Sequence, residues 1–327
     1  MSTAAPELLR GPGDPLGIAA AAPGIVGRSP LQLFWARLRR DRVAIGALVV
    51  IVLLVVVAIA APLVTSLAGT PGPYVHDQTA IDQAFGGPTG PQAGHPLGVD
   101  QLGRDIFSRI VYGARVSLGV AIVATLLSML IGVTVGMLAG FYRGWVDGLL
   151  SRIIDVVLAF PIILLALGIA SACSLGDGCL SGHIQPGLGV VILVIVAVNW
   201  TTVARIIRGQ VLSLREEQFV EAARSLGAPN RRIIVRDILP NLVAPIVVYG
   251  TLLIPQVILL EAALSFLGIG VQPPTASWGA MIGDSVELFD SAWWFMAFPG
   301  AALLLTVLAF NLLGDGLQDA LDPRRTR

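Results

Sequence analysis

EAARSLGAPNRRIIVRDILP, from Glu221 to Pro240, is an arginine-dense stretch set between long apolar segments. It carries the punctuation of a helical hairpin. Gly227 suits the left-handed position that ends a helix, and Pro229 suits the first turn of the next. Upstream, Ser213 offers an N-cap and Glu216 its capping-box partner, so a first helix is expected over 213–226. Glu216 and Glu217 also complement the positive end of that helix. A second helix is expected to stop before Pro240, because the residue ahead of a proline disfavours the α region. Glu221 can pair with Arg224, three residues on, for roughly a few tenths of a kcal/mol. Ala222 and Ala223 leave a low surface that another protein can approach closely, and Glu221 offers that protein a charge. On charge alone, such a stretch reads as a solvated connector.

Around this hairpin the chain is built for lipid. Of its 327 residues 55% are hydrophobic and 13% charged, with a mean hydropathy of +0.81. A soluble domain carries about twice that share of charge, so the chain reads as an integral membrane protein. All 21 basic residues are arginine, balanced by 21 acidic ones. Lysine is absent, and a phosphate-cradling P-loop requires one after its last glycine, so this chain has no such site and any ATP work must be done by another subunit.

Six charge-poor segments are long enough to cross a hydrocarbon core of about 30 Å at about 1.5 Å per residue. They are 43–63, 116–141, 153–172, 188–204, 242–267 and 293–313. The chain therefore divides into a tail over 1–42, of which 1–29 reads as disordered, and a membrane domain over 43–327 with a loop over 205–240. The first apolar run is too long, and the polar stretch before it too extended, for a cleaved signal peptide, so it reads as a retained anchor. Arginines cluster before the first span, between the second and third, between the fourth and fifth, and at the end (Arg324, Arg325, Arg327). The positive-inside rule puts both termini and the 205–240 loop in the cytoplasm. Arg104, Arg109 and Arg115, in the first opposing loop, go against the trend.

Within the spans, Ala124, Ser128, Gly132, Gly136 and Gly140 recur every four residues. Such a stripe lets another helix backbone approach, in the same chain or in a partner. Pro161, Pro245, Pro255 and Pro299 interrupt spans and are expected to kink them. Asn199, Gln256 and Glu261 are the candidates for lining a pathway. Glu261 lies about 28 Å along its helix from Leu242, near the outer face, so it either faces the bundle or snorkels outward. Cys173 and Cys179 either bridge across a short outer loop or remain two thiols. Two cysteines and His183 make a poor ligand set, so no metal site is expected. His76, His95 and His183 read as ordinary loop residues.

Glu221, Ala222, Ala223, Gly227, Leu239 and Pro240 together resemble the EAA loop of ABC importer permeases. One departure is Asp237, where that pattern carries an aliphatic residue. Further blocks narrow the resemblance to C-type permeases of dipeptides, oligopeptides and nickel chelates. These are His95-Pro96-Leu97-Gly98-Val99-Asp100 with Gly103-Arg104-Asp105 and Tyr112-Gly113-Ala114-Arg115, then Ser265-Phe266-Leu267-Gly268 through Val271-Gln272-Pro273-Pro274 to Ser277-Trp278-Gly279, and Asn311-Leu312-Leu313-Gly314-Asp315-Gly316 through Leu321-Asp322-Pro323-Arg324. The resemblance implies an all-α, six-span type I importer permease in a bacterial inner membrane, without catalysis or a cofactor of its own. It implies a homologous B-type permease, an external binding protein and two cytoplasmic ATPases that carry ATP and Mg. The hairpin would sit in a cleft of one ATPase. The outer loops 65–115 and 268–292 would meet the binding protein, with Trp293 and Trp294 anchoring the last span. Peptide is the expected cargo, with a nickel chelate as the alternative. A channel or secondary transporter would call for several charged groups at mid-membrane, where this chain offers mainly Asn199 and Gln256. An intramembrane enzyme would need a nucleophile or metal set that the sequence does not assemble.

Overall fold

A computed structural model describes residues 30–82, 87–174, 179 and 187–321. The expected tail over 1–29, His183 and the last arginines, Arg324, Arg325 and Arg327, lie outside them. The described residues are helical throughout, apart from loops and isolated bridges. Helix α1 (Pro30–Leu38) precedes α2 (Arg42–Ile59), α3 (Ala61–Leu67), α4 (Ile106–Phe141), α5 (Trp145–Ala159) and α6 (Ile162–Ser174). Then come α7 (Leu188–Leu214), α8 (Gln218–Ser225), α9 (Asn230–Phe266), α10 (Trp278–Ser285) and α11 (Trp293–Leu321).

Five of these, α2, α4, α7, α9 and α11, are long and apolar enough to cross a membrane unbroken. The sixth expected span is a bent pair: α5 and α6 meet at 91°. Pro161, at that break, lacks the N–H a continuing helix needs. Pro245, Pro255 and Pro299, by contrast, lie inside helices that run on through them. The first span also stops early, at Ala60, and restarts as α3 with Pro62 in its first turn. The segment before it is not all tail, since α1 buries Leu38 with Ala44 and Ala320.

Local chemistry sets several starts. Asp41 caps α2 by accepting from the Val43 and Ala44 amides at 2.9 and 3.1 Å. Asp105 caps α4 by accepting from the Ser108 amide at 2.7 Å, so the helix begins at Ile106, ten residues before the expected span start. Ser277 caps α10 by accepting from the Ala280 amide at 3.3 Å. Each satisfies an amide that the first turn leaves orphaned.

The core is the pairing of α4 with α7, and the small-residue stripe makes it. A methyl added at Gly132 would fall 2.5 Å from Val203 Cβ, at Gly136 2.6 Å from the Ala204 carbonyl oxygen, and at Gly140 2.7 Å from Val211 Cβ. Ala124 and Ser128 are buried on the same line. The partner of the stripe is therefore in this chain. The contacts rise in number together along both helices, so α4 and α7 run parallel, and the chain between them must return across the membrane.

The hairpin departs from expectation at both ends. Ser213 lies in the last turn of α7 and starts no helix, while α8 begins after Glu217, which makes no side-chain cap. Pro229 stands one residue ahead of the second helix instead of inside it. That helix does not end before Pro240. Residues Ile233–Ile238 form a π turn, with the Leu239 amide donating to the Ile234 carbonyl, and the chain continues as Leu239–Phe266. The wider turn shifts carbonyls away from their α-helical places, which accommodates the ring and missing N–H of Pro240.

Candidate functional site

Helix α8 buries one residue, Val220, which joins the core that includes Ile233, Ile238 and Leu242. Its remaining surface is open. Phe219, Ala222 and Leu226 are exposed and Ala223 is half-buried, a spacing of i, i+3, i+4 and i+7 that lines one helical face. Leu226 is 88% exposed at the tip. Covering such a side chain is worth about 1.5–3 kcal/mol, so the stripe is a surface that a partner would stabilise. Glu221 and Arg224 are exposed beside it. The Arg224 guanidinium lies 5.6 Å over the Phe141 ring and not against Glu221. Gly227 holds φ +74°, and the Ala228 amide donates to the Ala223 carbonyl at 3.0 Å, closing the turn. Glu221, Ala222, Ala223 and Gly227 thus share the hairpin, whereas Leu239 and Pro240 stand in the first turn of the α-helical segment that follows the π turn. Phe219 and Leu226 were missed in the sequence because an apolar residue is unremarkable in so hydrophobic a chain. Their spacing with the two alanines was the available signal.

The hairpin is tied to its helices by arginines. Arg215 donates to the Gly140 carbonyl at 2.7 Å, which satisfies the C-terminal turn of α4. Arg143 pairs with Glu216, which Arg215 also reaches at 3.2 Å. The Arg143 charge, with help from Arg215, holds the Glu216 carboxyl below its ordinary range. Arg208 grips Asp147 of α5 with two bonds, of 2.7 and 3.0 Å.

At the other end of the helices the arginines that broke the charge trend are consumed structurally. Arg104 donates to Asp100 at 2.7 Å, Arg109 Nε lies 3.4 Å from the same carboxylate, and all three are buried. Arg115 donates to the Ala58 and Ile59 carbonyls, the unsatisfied end of α2. His95 is not an ordinary surface residue: it is buried between Asp105 at 3.0 Å and Asp77 at 3.4 Å. Burial pushes the Asp284 carboxyl of α10 up, against the opposing pull of Arg109. Trp293 is exposed, while Trp294 is stacked over Gly90 and Gly98.

The three pathway candidates do not come together. Asn199 is buried and donates to the Ile195 carbonyl of its own helix at 2.9 Å. Gln256 is exposed on α9. Glu261 is wholly buried, where one oxygen accepts from Ser265 at 2.8 Å and the other has no hydrogen-bond partner. Ser117 of α4 and Ser277 of the α10 cap face the same carboxyl. The structure joins the sulfurs of Cys173 and Cys179, with their Cα atoms 4.6 Å apart.

Comparison with known proteins gives this architecture its class. Residues 132–327 match the family described as binding-protein-dependent transport system inner membrane component, and residues 29–88 match the N-terminal transmembrane domain of oligopeptide transport permease C. The chain is 43% identical over 296 residues to the dipeptide transport system permease protein DppC of Alkalihalophilus pseudofirmus, covering 90% of each. It is 44% identical over 298 residues to the glutathione transport system permease protein GsiD of Shigella flexneri, covering 91% of each. A solved inward-facing structure of the MetNI methionine ABC transporter shares the fold at 19% identity and a TM-score of 0.54, covering 65% of this chain and 96% of that one. The chain belongs to the binding-protein-dependent inner-membrane transport family, as a C-type permease subunit of the dipeptide and oligopeptide ABC importers. It is a multi-pass inner-membrane transport component.

Proposed function

We propose that this chain forms half of the translocation pathway of an importer for short peptides and takes its drive through α8. A homologous B-type permease supplies the other half, and an external binding protein delivers cargo to the outer loops. Two cytoplasmic ATPases hold ATP and Mg, while this chain binds no cofactor and catalyses nothing. Both termini lie in the cytoplasm. The relatives named for dipeptide and glutathione transport support a short peptide as cargo. The exposed stripe Phe219, Ala222, Ala223 and Leu226 carries the reading, since it is an unburied apolar face on a hairpin bound to three helices. A channel or secondary transporter has no use for that face.

The test is to express the whole operon with a tag on this chain and purify the assembly in mild detergent. Wild type is expected to bring a second permease and the ATPases in stoichiometric amount. Phe219→Asp with Leu226→Asp is expected to lose the ATPases and keep the second permease, because both side chains are exposed and their change leaves the core alone. Full ATPase recovery and normal uptake by that variant would overturn the docking role.

A further inference from the structure

We infer that α5 is an amphipathic helix lying flat on the cytoplasmic leaflet, with its apolar edge in the lipid at the headgroup–acyl boundary. Trp145, Leu149, Ile153, Val156 and Phe160, the last just past the helix end, are all exposed. At 100° per residue they fall within an arc of about 80°. The opposite side of the helix carries Asp147, Ser151 and the buried Ile154. Its two acidic residues pair with α7: Asp147 is gripped by Arg208 at 2.7 Å, and the exposed Asp155 meets Arg205 at 2.6 Å.

Three observations fix its attitude and depth. The 91° bend at Phe160 and Pro161 means that, if α6 follows the membrane normal, α5 lies in the membrane plane. Asp147 and Asp155 are eight residues apart, about 12 Å along α5, yet they reach arginines only three residues apart, about 4.5 Å along α7. A helix parallel to α7 would match those intervals, and a steeply crossing one does not. Those arginines follow Ala204, where the apolar run of α7 gives way to charge, so α5 sits at the boundary of the hydrocarbon layer.

The side is set by continuity. Helix α5 follows the end of α4 that packs against Val211 and that Arg215 caps, the end carrying the hairpin. The occupant is lipid because the composition is that of an interfacial helix. Trp145 and Phe160 close the two ends of the stripe, and exposed Arg152 runs along its margin where headgroup phosphates lie. Exposed Arg143 stands just before the helix on the same side. The role that follows is a float. It holds the cytoplasmic ends of α4 and α7 at a fixed depth while the hairpin is pushed, and α6 alone continues toward the outer face.

The experiment places single cysteines at Leu149, Ile153, Val156 and, as an off-stripe control, Gly148, with Cys173 and Cys179 blocked beforehand if they react. Each is labelled with an environment-sensitive fluorophore in the assembled transporter, in nanodiscs whose lipids carry bromine at shallow or deep acyl positions. The three stripe labels are expected to be quenched alike by shallow bromine and weakly by deep, with Gly148 the least quenched. Leu149 and Val156 would differ in depth by about 10 Å if α5 crossed the bilayer, so a graded shift from shallow to deep quenching would overturn the inference. Stripe labels unquenched by either lipid would also overturn it, by showing that protein covers the stripe. A label that prevents assembly at one position leaves the comparison of the other two intact.

Discussion

Adding one methyl group at Gly136 measures how closely α4 and α7 are packed. The added carbon would fall 2.6 Å from the Ala204 carbonyl oxygen, 2.9 Å from Ile207 Cβ and 3.1 Å from the Arg208 amide nitrogen. Two of these three atoms are backbone, which cannot swing aside as a side-chain tip can. Overpacking of this kind costs about 1–3 kcal/mol, while replacing a helical glycine by alanine returns about 1 kcal/mol. Gly136→Ala should therefore destabilise by about 0–2 kcal/mol, and Gly136→Val, which adds two further carbons at the same contact, by more. Gly119 lies on the same helix with nothing within 4 Å of its added carbon, so Gly119→Ala should be neutral or stabilising. The assay is the melting midpoint of the purified assembly in nanodiscs, where about 1 kcal/mol corresponds to roughly 2–4 °C in a domain of 150–250 residues. A Gly136→Val midpoint equal to wild type, or Gly119→Ala damaging the protein as much as Gly136→Ala, would refute the close packing.

Gly227→Pro should abolish uptake while the chain still enters the membrane, because proline holds φ near −65° and this turn needs +74°; uptake by a membrane-located variant checks it. Glu261→Gln should preserve the melting midpoint, since the amide oxygen still accepts from Ser265, whereas Glu261→Leu should lose about 1–3 kcal/mol by orphaning buried hydroxyls. Glu216 has a depressed carboxyl, so its tether is in place at neutral pH and lost as pH falls through its lowered value, below the usual glutamate range of about 4.3. The gap in midpoint between wild type and Glu216→Gln should accordingly narrow on acidification from neutrality. Cys173 and Cys179 should resist alkylation until reduced; free labelling of both without reductant would count against the bridge.

The parts legible in the sequence were those with short-range causes. Lipid-length apolar runs, Gly227 and the fourfold stripe announce themselves because each has a fixed spacing and a physical reason for it. The failures came from longer reach. Nothing local in Ser213 says that α7 will absorb it, since its capping geometry is as good on paper as that of Asp41. Pro240 reads as a stop, and only the π turn ahead of it makes continuation affordable in hydrogen bonds. His95 reads as loop until Asp77 and Asp105, eighteen residues behind it and ten ahead, close on both ring nitrogens. The small stripe called for a partner, and α7 is recognisable as that partner only once Val203, Ala204 and Val211 are seen against it.

These contacts also decide how a push on α8 is divided. On one side the hairpin meets α7 directly, and Arg215 binds it to the Gly140 carbonyl in the last turn of α4. With α4 and α7 packed this closely at Gly132, Gly136 and Gly140, the pair is expected to move together. On the other side it reaches the Leu239–Phe266 part of α9 through Ile233–Ile238, a π turn that lacks the regular α-helical ladder. Helix α9 is moreover fastened at its far end, where Gly279 of α10 sits so close to Ala262 that an added methyl would fall 2.5 Å from its backbone. A load entering at Leu226 would therefore meet close backbone packing on the way into α4 and α7, and a change of helical hydrogen-bond pattern on the way into Leu239–Phe266. On the docking role proposed above, closure of the ATPases would swing the α4–α7 pair against an α9 pinned at its outer end, with residues 233–238 taking up the relative motion. Alternating access needs such a difference, because a hairpin rigidly joined on both sides would carry the whole bundle along without opening either face.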